Sequence, residues 1–307
     1  HNQRTVISKI HPDSLKIYEK NIDKKIASIF SSRGCVARCT FCQRYTKGYR
    51  VYAPNDLESR IIELKEKYNV GGIFINDENF GSNRKQSYEI ARILKKHDMF
   101  WIAGGVRCVS TSYEDLKFYK EHNLLAVSFG IESGSQKILD IMEKKFTVSD
   151  IKKALMTSHD IGLNAHPGGF MVGMPGESMK TAMDSGKLMG ELAANIKVPV
   201  GLKHKYMDLC YALPLVGTPL YEYGKQLKLI GQNIEEEEKY LEDTTNVTSL
   251  KRYYINFNGA PMSEVLFWDI LVFLEATRTY VKLMKGKTED EELIKKYINR
   301  AEIQGDN

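Results

Sequence analysis

The sequence predicts an α/β protein: a partial (β/α)6, TIM-like barrel of parallel strands with a helical extension at its C-terminal side. Three observations predict it. Short, near-continuous apolar runs alternate with stretches of helical period; six such runs follow one another without a break; and after about residue 217 the texture turns helical. Apolar runs separated by amphipathic helices indicate a parallel sheet with crossover helices. Six units in series favour a partly closed barrel, although a doubly wound open sheet has a similar texture.

The first 25 residues read as a lead-in segment, with residues 26–225 as the core and 226–307 as the helical extension. Strand-like runs occur at "KIASIFSS" (25–32), "GGIFIND" (71–77), "MFWIAGG" (99–105), "LAVSFGIES" (125–133), "NAHPGGFMVGMPGE" (164–177) and "KYMDLCYALP" (205–214). Between the first two runs, "NDLESRIIELKEKYN" (55–69) places Leu57, Ile61, Leu64 and Tyr68 on one helix face. The stretch 83–97 repeats the pattern with Tyr88, Ala91 and Leu94, and further helical periods cover 111–123, 133–144, 149–162 and 177–195. Thr147 before Ser149-Asp150 is a start signal, and Gly162 is a stop. Beyond the core, "IEEEEKYLEDT" (234–244) reads as a solvated helix face. Residues 262–286 read as one long apolar helix packed on the core, and 288–303 as a polar terminal helix.

Composition narrows the function. The 307 residues include 44 Lys plus Arg and 39 Asp plus Glu, a net charge of +5. That balance gives no argument for a nucleic-acid partner. No apolar run reaches 18 residues, so no membrane span is expected, and the first 20 residues lack the apolar stretch of a secretory signal. Five cysteines, three of them clustered, fit a reducing cytoplasm and a metal or catalytic role better than a disulfide scaffold.

That cluster is "SSRGCVARCTFCQRY", with Cys35, Cys39 and Cys42 spaced C-x3-C-x2-C. Three thiolates on one loop suit three irons of a 4Fe–4S cube, leaving the fourth iron open to another ligand. Gly34 and Gly48 would let the loop wrap closely. The rivals are a structural zinc, which would need a distant fourth ligand such as Cys108, Cys210 or a histidine, and three inert thiols. Cys210 reads as a buried structural thiol. His159, His166 and His204 are scattered, with His166 alone placed near a barrel mouth.

The cysteine loop, including the aromatic Phe41 before the third thiol, resembles the cluster loop of the radical S-adenosylmethionine (SAM) superfamily. "FINDENF" (74–80), "SFGIESGSQKIL" (128–139), "KKFT" (144–147), "GFMVGMPGES" (169–178) and "LPLVGTPLY" (213–221) resemble further segments, in order, of the subgroup carrying a cobalamin-binding domain and of the related methylthiotransferases. The resemblance implies a 4Fe–4S cluster on Cys35, Cys39 and Cys42 and reductive cleavage of SAM to a 5′-deoxyadenosyl radical. It implies that Asn76, Asp77 and Glu78 hold the SAM amino group, and that Glu132 and Ser133 meet ribose hydroxyls or that amino group. Lys144, or Lys145 beside it, would meet the SAM carboxylate. Backbone at Val172 and Met174 would meet adenine, and Arg107 would contact SAM or substrate. No catalytic residue beyond the cluster is assigned.

The reaction implied first is methyl transfer to an unactivated carbon with cobalamin, the upstream cobalamin domain lying outside this chain. A small-molecule or peptide substrate and a reductant such as flavodoxin or ferredoxin would be its partners. A cobalamin-independent rearrangement, epimerisation, C–C bond formation or elimination is the second reading. A non-enzymatic Fe–S or zinc module is the third. The absence of a later cysteine cluster and the helical C-terminus argue against a methylthiotransferase.

Overall fold

A computed structural model describes residues 12–44, 46, 48–196, 208–245 and 254–285. The elements are α1 (Pro12–Glu19), β1 (Lys25–Ile29), β2 (Ser32–Gly34), β3 (Tyr49–Val51), α2 (Pro54–Tyr68), β4 (Val70–Ile75), α3 (Arg84–Lys96), β5 (Phe100–Val106), α4 (Tyr113–Glu121), β6 (Leu124–Phe129), α5 (Gln136–Ile141), α6 (Val148–Asp160) and β7 (Asn164–Pro167). After them come β8 (Phe170–Val172), α7 (Met179–Asn195), β9 (Leu209–Tyr211), α8 (Pro219–Gln226), α9 (Ile234–Thr245), α10 (Met262–Val265) and α11 (Trp268–Met284). His204 and the expected helix at 288–303 lie outside the described residues.

The chain divides into two compact units: residues 1–131 with 146–168, and residues 132–145 with 169–307. In the first, β1, β4, β5, β6 and β7 form one parallel sheet in that order. Ile73, Ile75, Trp101, Ala103, Val127 and Phe129, alternate residues in register, are buried along one face of it. Leu57, Ile61 and Leu64 give α2 its buried face, but Tyr68, expected on that face, is half exposed, one residue before the left-handed Asn69 that ends the helix. Side-chain-to-backbone bonds of Asn83, Ser112 and Thr147 cap α3, α4 and α6 at their N-termini.

Two strand expectations are corrected. The first apolar run does not continue as one strand into the cysteine loop: β1 stops at Ile29, and Ser32–Gly34 pair antiparallel with Tyr49–Val51 as a separate ribbon. The fifth run splits into β7 and β8, with Gly168-Gly169 between them; β8 pairs in parallel with β9, so the sixth run has a sheet partner in the second unit.

The second unit is built on two helices in close approach. The i, i+4 series Trp268, Val272, Ala276, Tyr280 and Met284 forms the buried edge of α11. It meets α7 at Gly186 and Gly190, where an added Cβ would stand 2.4 Å from the Val272 and Ala276 carbonyl oxygens. The single helix expected at 262–286 is interrupted at Leu266-Phe267, where Phe267 N–H turns back to the Glu264 carbonyl at 3.0 Å. Among the described residues, no helix is long and apolar enough to cross a membrane.

Candidate functional site

In the first unit the three cysteines lie on the connection from β2 to β3. The ribbon closes that connection at its base, with Gly34 opposite Tyr49. Gly34 has φ +83° and an added Cβ would meet the Gly48 carbonyl at 2.0 Å, so no other residue fits there. Cys35 and Cys39 are half-buried and Cys42 is exposed. Ala37 N–H points to Cys35 Sγ at 3.4 Å, and Cys42 N–H bonds the Cys39 carbonyl at 3.3 Å. Phe41 is half-buried beside them.

The end of β4 fixes this ribbon. Asp77 is buried, and its two carboxylate oxygens accept from Ser31 N–H (2.7 Å), Ser31 Oγ (2.6 Å), Ser32 N–H (3.1 Å) and Ser32 Oγ (2.6 Å). Four donors fill the acceptor capacity of a carboxylate. In the contacts given, the Asp77 carboxylate serves the residues that lead into the cysteine loop. Glu78 Oε1 accepts from Gly34 N–H at 3.1 Å and the residue is exposed, as is Asn76, whose N–H bonds the Ile29 carbonyl at 2.9 Å. Ser31 also presents its carbonyl to Gln86 Nε2 (2.6 Å) and Tyr52 N–H (3.1 Å). The signal for this anchoring, a Ser pair just before Gly34, was present in the sequence, but it pairs with Asp77 only across 46 positions of chain.

The end of β5 closes on β4. Gly105, at φ +64°, leaves room for the Asp77 carbonyl, which an added Cβ would meet at 2.0 Å. Arg107 follows. Its guanidinium lies 5.4 Å from the centre of the Phe146 ring, and Nη1 points to Cys39 Sγ at 3.8 Å. Cys108 beside it is buried.

The second unit holds the remaining expected residues. Glu132 adopts φ +64°, a conformation costing a non-glycine residue on the order of 1 kcal/mol. Its backbone is held by N–H to the Gly169 carbonyl (3.3 Å) and by its carbonyl accepting from Met171 N–H (2.7 Å). Glu132 Oε1 accepts from Lys144 Nζ at 3.1 Å, and the lysine side chain is only 6% exposed. A solvated Lys144 is thus excluded. Lys145 has φ +55°.

Ser133 is fully buried, with its hydroxyl shared between Ser185 Oγ (3.2 Å) and Ser135 N–H (3.1 Å). The Val172 carbonyl accepts from Ala212 N–H at 2.8 Å, inside the β8–β9 pairing. The Met174 carbonyl accepts from both Asn258 Nδ2 (3.0 Å) and Glu177 N–H (3.0 Å), so both of its lone pairs are used. Val172 and Met174 side chains are fully buried.

Glu177, not anticipated as special, is buried and accepts from Thr181 Oγ1 at 2.6 Å. Burial raises its pKa to about 7, against the opposing influence of Thr181, the Gly173 and Met174 N–H groups and Lys137. Cys210 is pushed up to about 11 by burial and by the nearby Glu132 and Asp208 charges, which agrees with a structural thiol.

The cysteine loop can be tested against an iron–sulfur cube by its donors. Among the described residues, no three His, Cys, Asp or Glu side chains converge as they would on a single metal ion. Each thiolate of a 4Fe–4S cube takes a different iron, and a structural zinc takes four ligands. Three thiols without a local fourth, two glycines at the ribbon base and an N–H donor aimed at Cys39 Sγ fit the cube.

Comparison with known proteins agrees. The family model described as the radical SAM superfamily matches residues 29–189, a little over half of the chain. The chain belongs to the radical SAM superfamily and is an enzyme of that class, with SAM as its cofactor. An uncharacterized methyltransferase of Pyrococcus horikoshii is 30% identical over 201 residues, covering 64% of this chain and 41% of the relative. An anaerobic magnesium-protoporphyrin IX monomethyl ester cyclase of Cereibacter sphaeroides is 33% identical over 174 residues, 54% of this chain and 28% of that protein. The chain thus spans well under half of these relatives. The radical SAM methyltransferase TsrM of Kitasatospora setae, solved with cobalamin and a 4Fe–4S cluster, has the same fold over 70% of this chain and 40% of its own (TM-score 0.55, 15% identity).

Proposed function

We propose that this chain is the catalytic core of a methyltransferase of the cobalamin-associated radical SAM class, acting on an unactivated carbon. The observation that carries the reading is the thiol trio on a loop closed by the β2–β3 ribbon and pinned by Asp77 and Glu78. Cys35, Cys39 and Cys42 would hold a 4Fe–4S cluster, which when bound supplies the electron that cleaves SAM to a 5′-deoxyadenosyl radical. The chain's own contribution is placement. Asp77 fixes the ribbon through Ser31 and Ser32, and Gly34 lets the loop close on Gly48. Asn76 and Glu78, exposed at the end of β4, remain the acceptors suited to the SAM amino group. Buried Lys144 and half-buried Glu132 form a pair of opposite charge suited to the carboxylate and the ribose hydroxyls of SAM.

The methyltransferase relatives support methyl transfer, and the cobalamin bound by TsrM supports cobalamin as the second cofactor. The upstream cobalamin domain belongs to the same reading, as do a flavodoxin- or ferredoxin-type reductant and a small-molecule or peptide substrate. One observation favours a second reading. The cyclase relative is 33% identical, so radical C–C bond formation without methyl transfer is the alternative outcome. Incubation of the full-length, reconstituted protein with methyl-labelled SAM and a reductant separates them. Label found in cobalamin and product supports methyl transfer; 5′-deoxyadenosine formed with no label transferred supports the alternative.

A further inference from the structure

Arg107 directs its guanidinium at a thiol sulfur of the cysteine loop. Nη1 lies 3.8 Å from Cys39 Sγ, and the Phe146 ring, 5.4 Å from the guanidinium carbon, backs the group. The placement is built into the fold. Gly105 at φ +64° turns the end of β5 against the Asp77 carbonyl, and Asp77 holds the ribbon that carries the cysteines. One residue therefore borders both ends of the Arg107–Cys39 approach, Asp77 through its backbone carbonyl at Gly105 and through its carboxylate at Ser31 and Ser32. A guanidinium stacked on a ring loses little further freedom when it donates a hydrogen bond.

From this geometry we infer that Arg107 is a positioning residue that acts through Cys39 to raise the reduction potential of the cluster, instead of a SAM contact. The inference rests on the reading of the cysteine loop as a cluster site. Reduction adds one electron to a cluster already carrying thiolate charge, with no bond made or broken in the protein. A cation and an N–H donor at one thiolate sulfur stabilise the more negative, reduced form more than the oxidised form. Hydrogen bonds to the sulfurs and local charge are established levers on such potentials.

The test is a dithionite redox titration, followed by electron paramagnetic resonance without SAM, on the reconstituted full chain and two variants. Arg107→Gln removes the charge, and Arg107→Lys keeps it while losing the planar fork. At the wild-type midpoint potential, R107Q is expected to show a reduced-to-oxidised ratio at least tenfold lower, about 59 mV for a one-electron couple. R107K should fall between the two. Iron content and circular dichroism are matched across the three proteins. An unmoved midpoint in an R107Q protein with full iron content overturns the inference, above all if SAM binding alone weakens. Should R107Q fail to fold or to load iron, R107K decides: a lowered midpoint supports the inference, an unchanged one overturns it. A wild-type protein that takes up no iron and sulfide overturns the cluster reading itself, which separates the two failures.

Discussion

Asp77 ties the end of β4 to the residues that lead into the cysteine loop. Its four hydrogen bonds to Ser31 and Ser32 leave no acceptor free, so Asp77→Ala would strand four donors in a buried setting. The cost is expected to be on the order of 3 kcal/mol or more, read as a lowered urea midpoint. Asp77→Asn, which keeps one acceptor oxygen, should lose less. The Glu132–Lys144 pair makes a parallel case in the second unit. Lys144→Met removes the cation from a half-buried carboxylate and should cost roughly 1–3 kcal/mol, with Glu132→Gln plus Lys144→Met recovering part of it. Glu177 gives a pH dependence. Its folded pKa of about 7 lies above the ordinary carboxylate value of 4.5, so the folded state binds the proton more tightly. The stability contributed by that proton is complete below pH 4.5 and is lost as pH rises through 7. Chemical denaturation of the wild type should therefore show stability falling between these values, and Glu177→Gln should flatten that slope. A wild-type profile that rises over the same interval contradicts the assignment. Cys210, held up at about 11, should react with iodoacetamide at pH 7.5 far more slowly than the exposed Cys42.

Elements record which parts of the fold a pattern can announce. The parallel strands β1, β4, β5 and β6 were legible because near-continuous apolar runs belong to strands covered on both faces, and the helices between them were legible from their buried stripes. The split of the fifth run at Gly168-Gly169 was not legible, because a single run of apolar and glycine residues does not say which strand each half will pair with. The β2–β3 ribbon was hidden for a similar reason: three residues on each side carry no readable alternation. The approach of α11 to α7 was likewise invisible, although Gly186 and Gly190, four residues apart, are its cause. Replacing both by Ala would push methyls into the Val272 and Ala276 carbonyls and is expected to destabilise the second unit by roughly 1–3 kcal/mol per site. The same replacement at Gly217, where an added Cβ meets nothing within 4 Å, tests backbone conformation alone.

For the whole molecule, the spacing of three cysteines and the ordered segments around them were enough to indicate the superfamily, and the match over residues 29–189 establishes it. What the sequence could not supply is the division of labour among the polar residues near the thiols. Asp77, Ser133 and Met174 are acceptors or donors by type, and type alone does not reveal that the chain itself has already claimed them. Asn76 and Glu78 are exposed at the end of β4, and Glu132 and Lys144 face each other across 3.1 Å. The most direct measurement is the iron and acid-labile sulfide content of the anaerobically reconstituted protein, taken beside its Cys35→Ala, Cys39→Ala and Cys42→Ala variants. The account predicts about four irons and four sulfides per chain in the wild type, as a single cube requires, and loss of the intact cube in every variant. A chain that instead binds one zinc, or that keeps its full iron and sulfide without any one of these thiols, would contradict it.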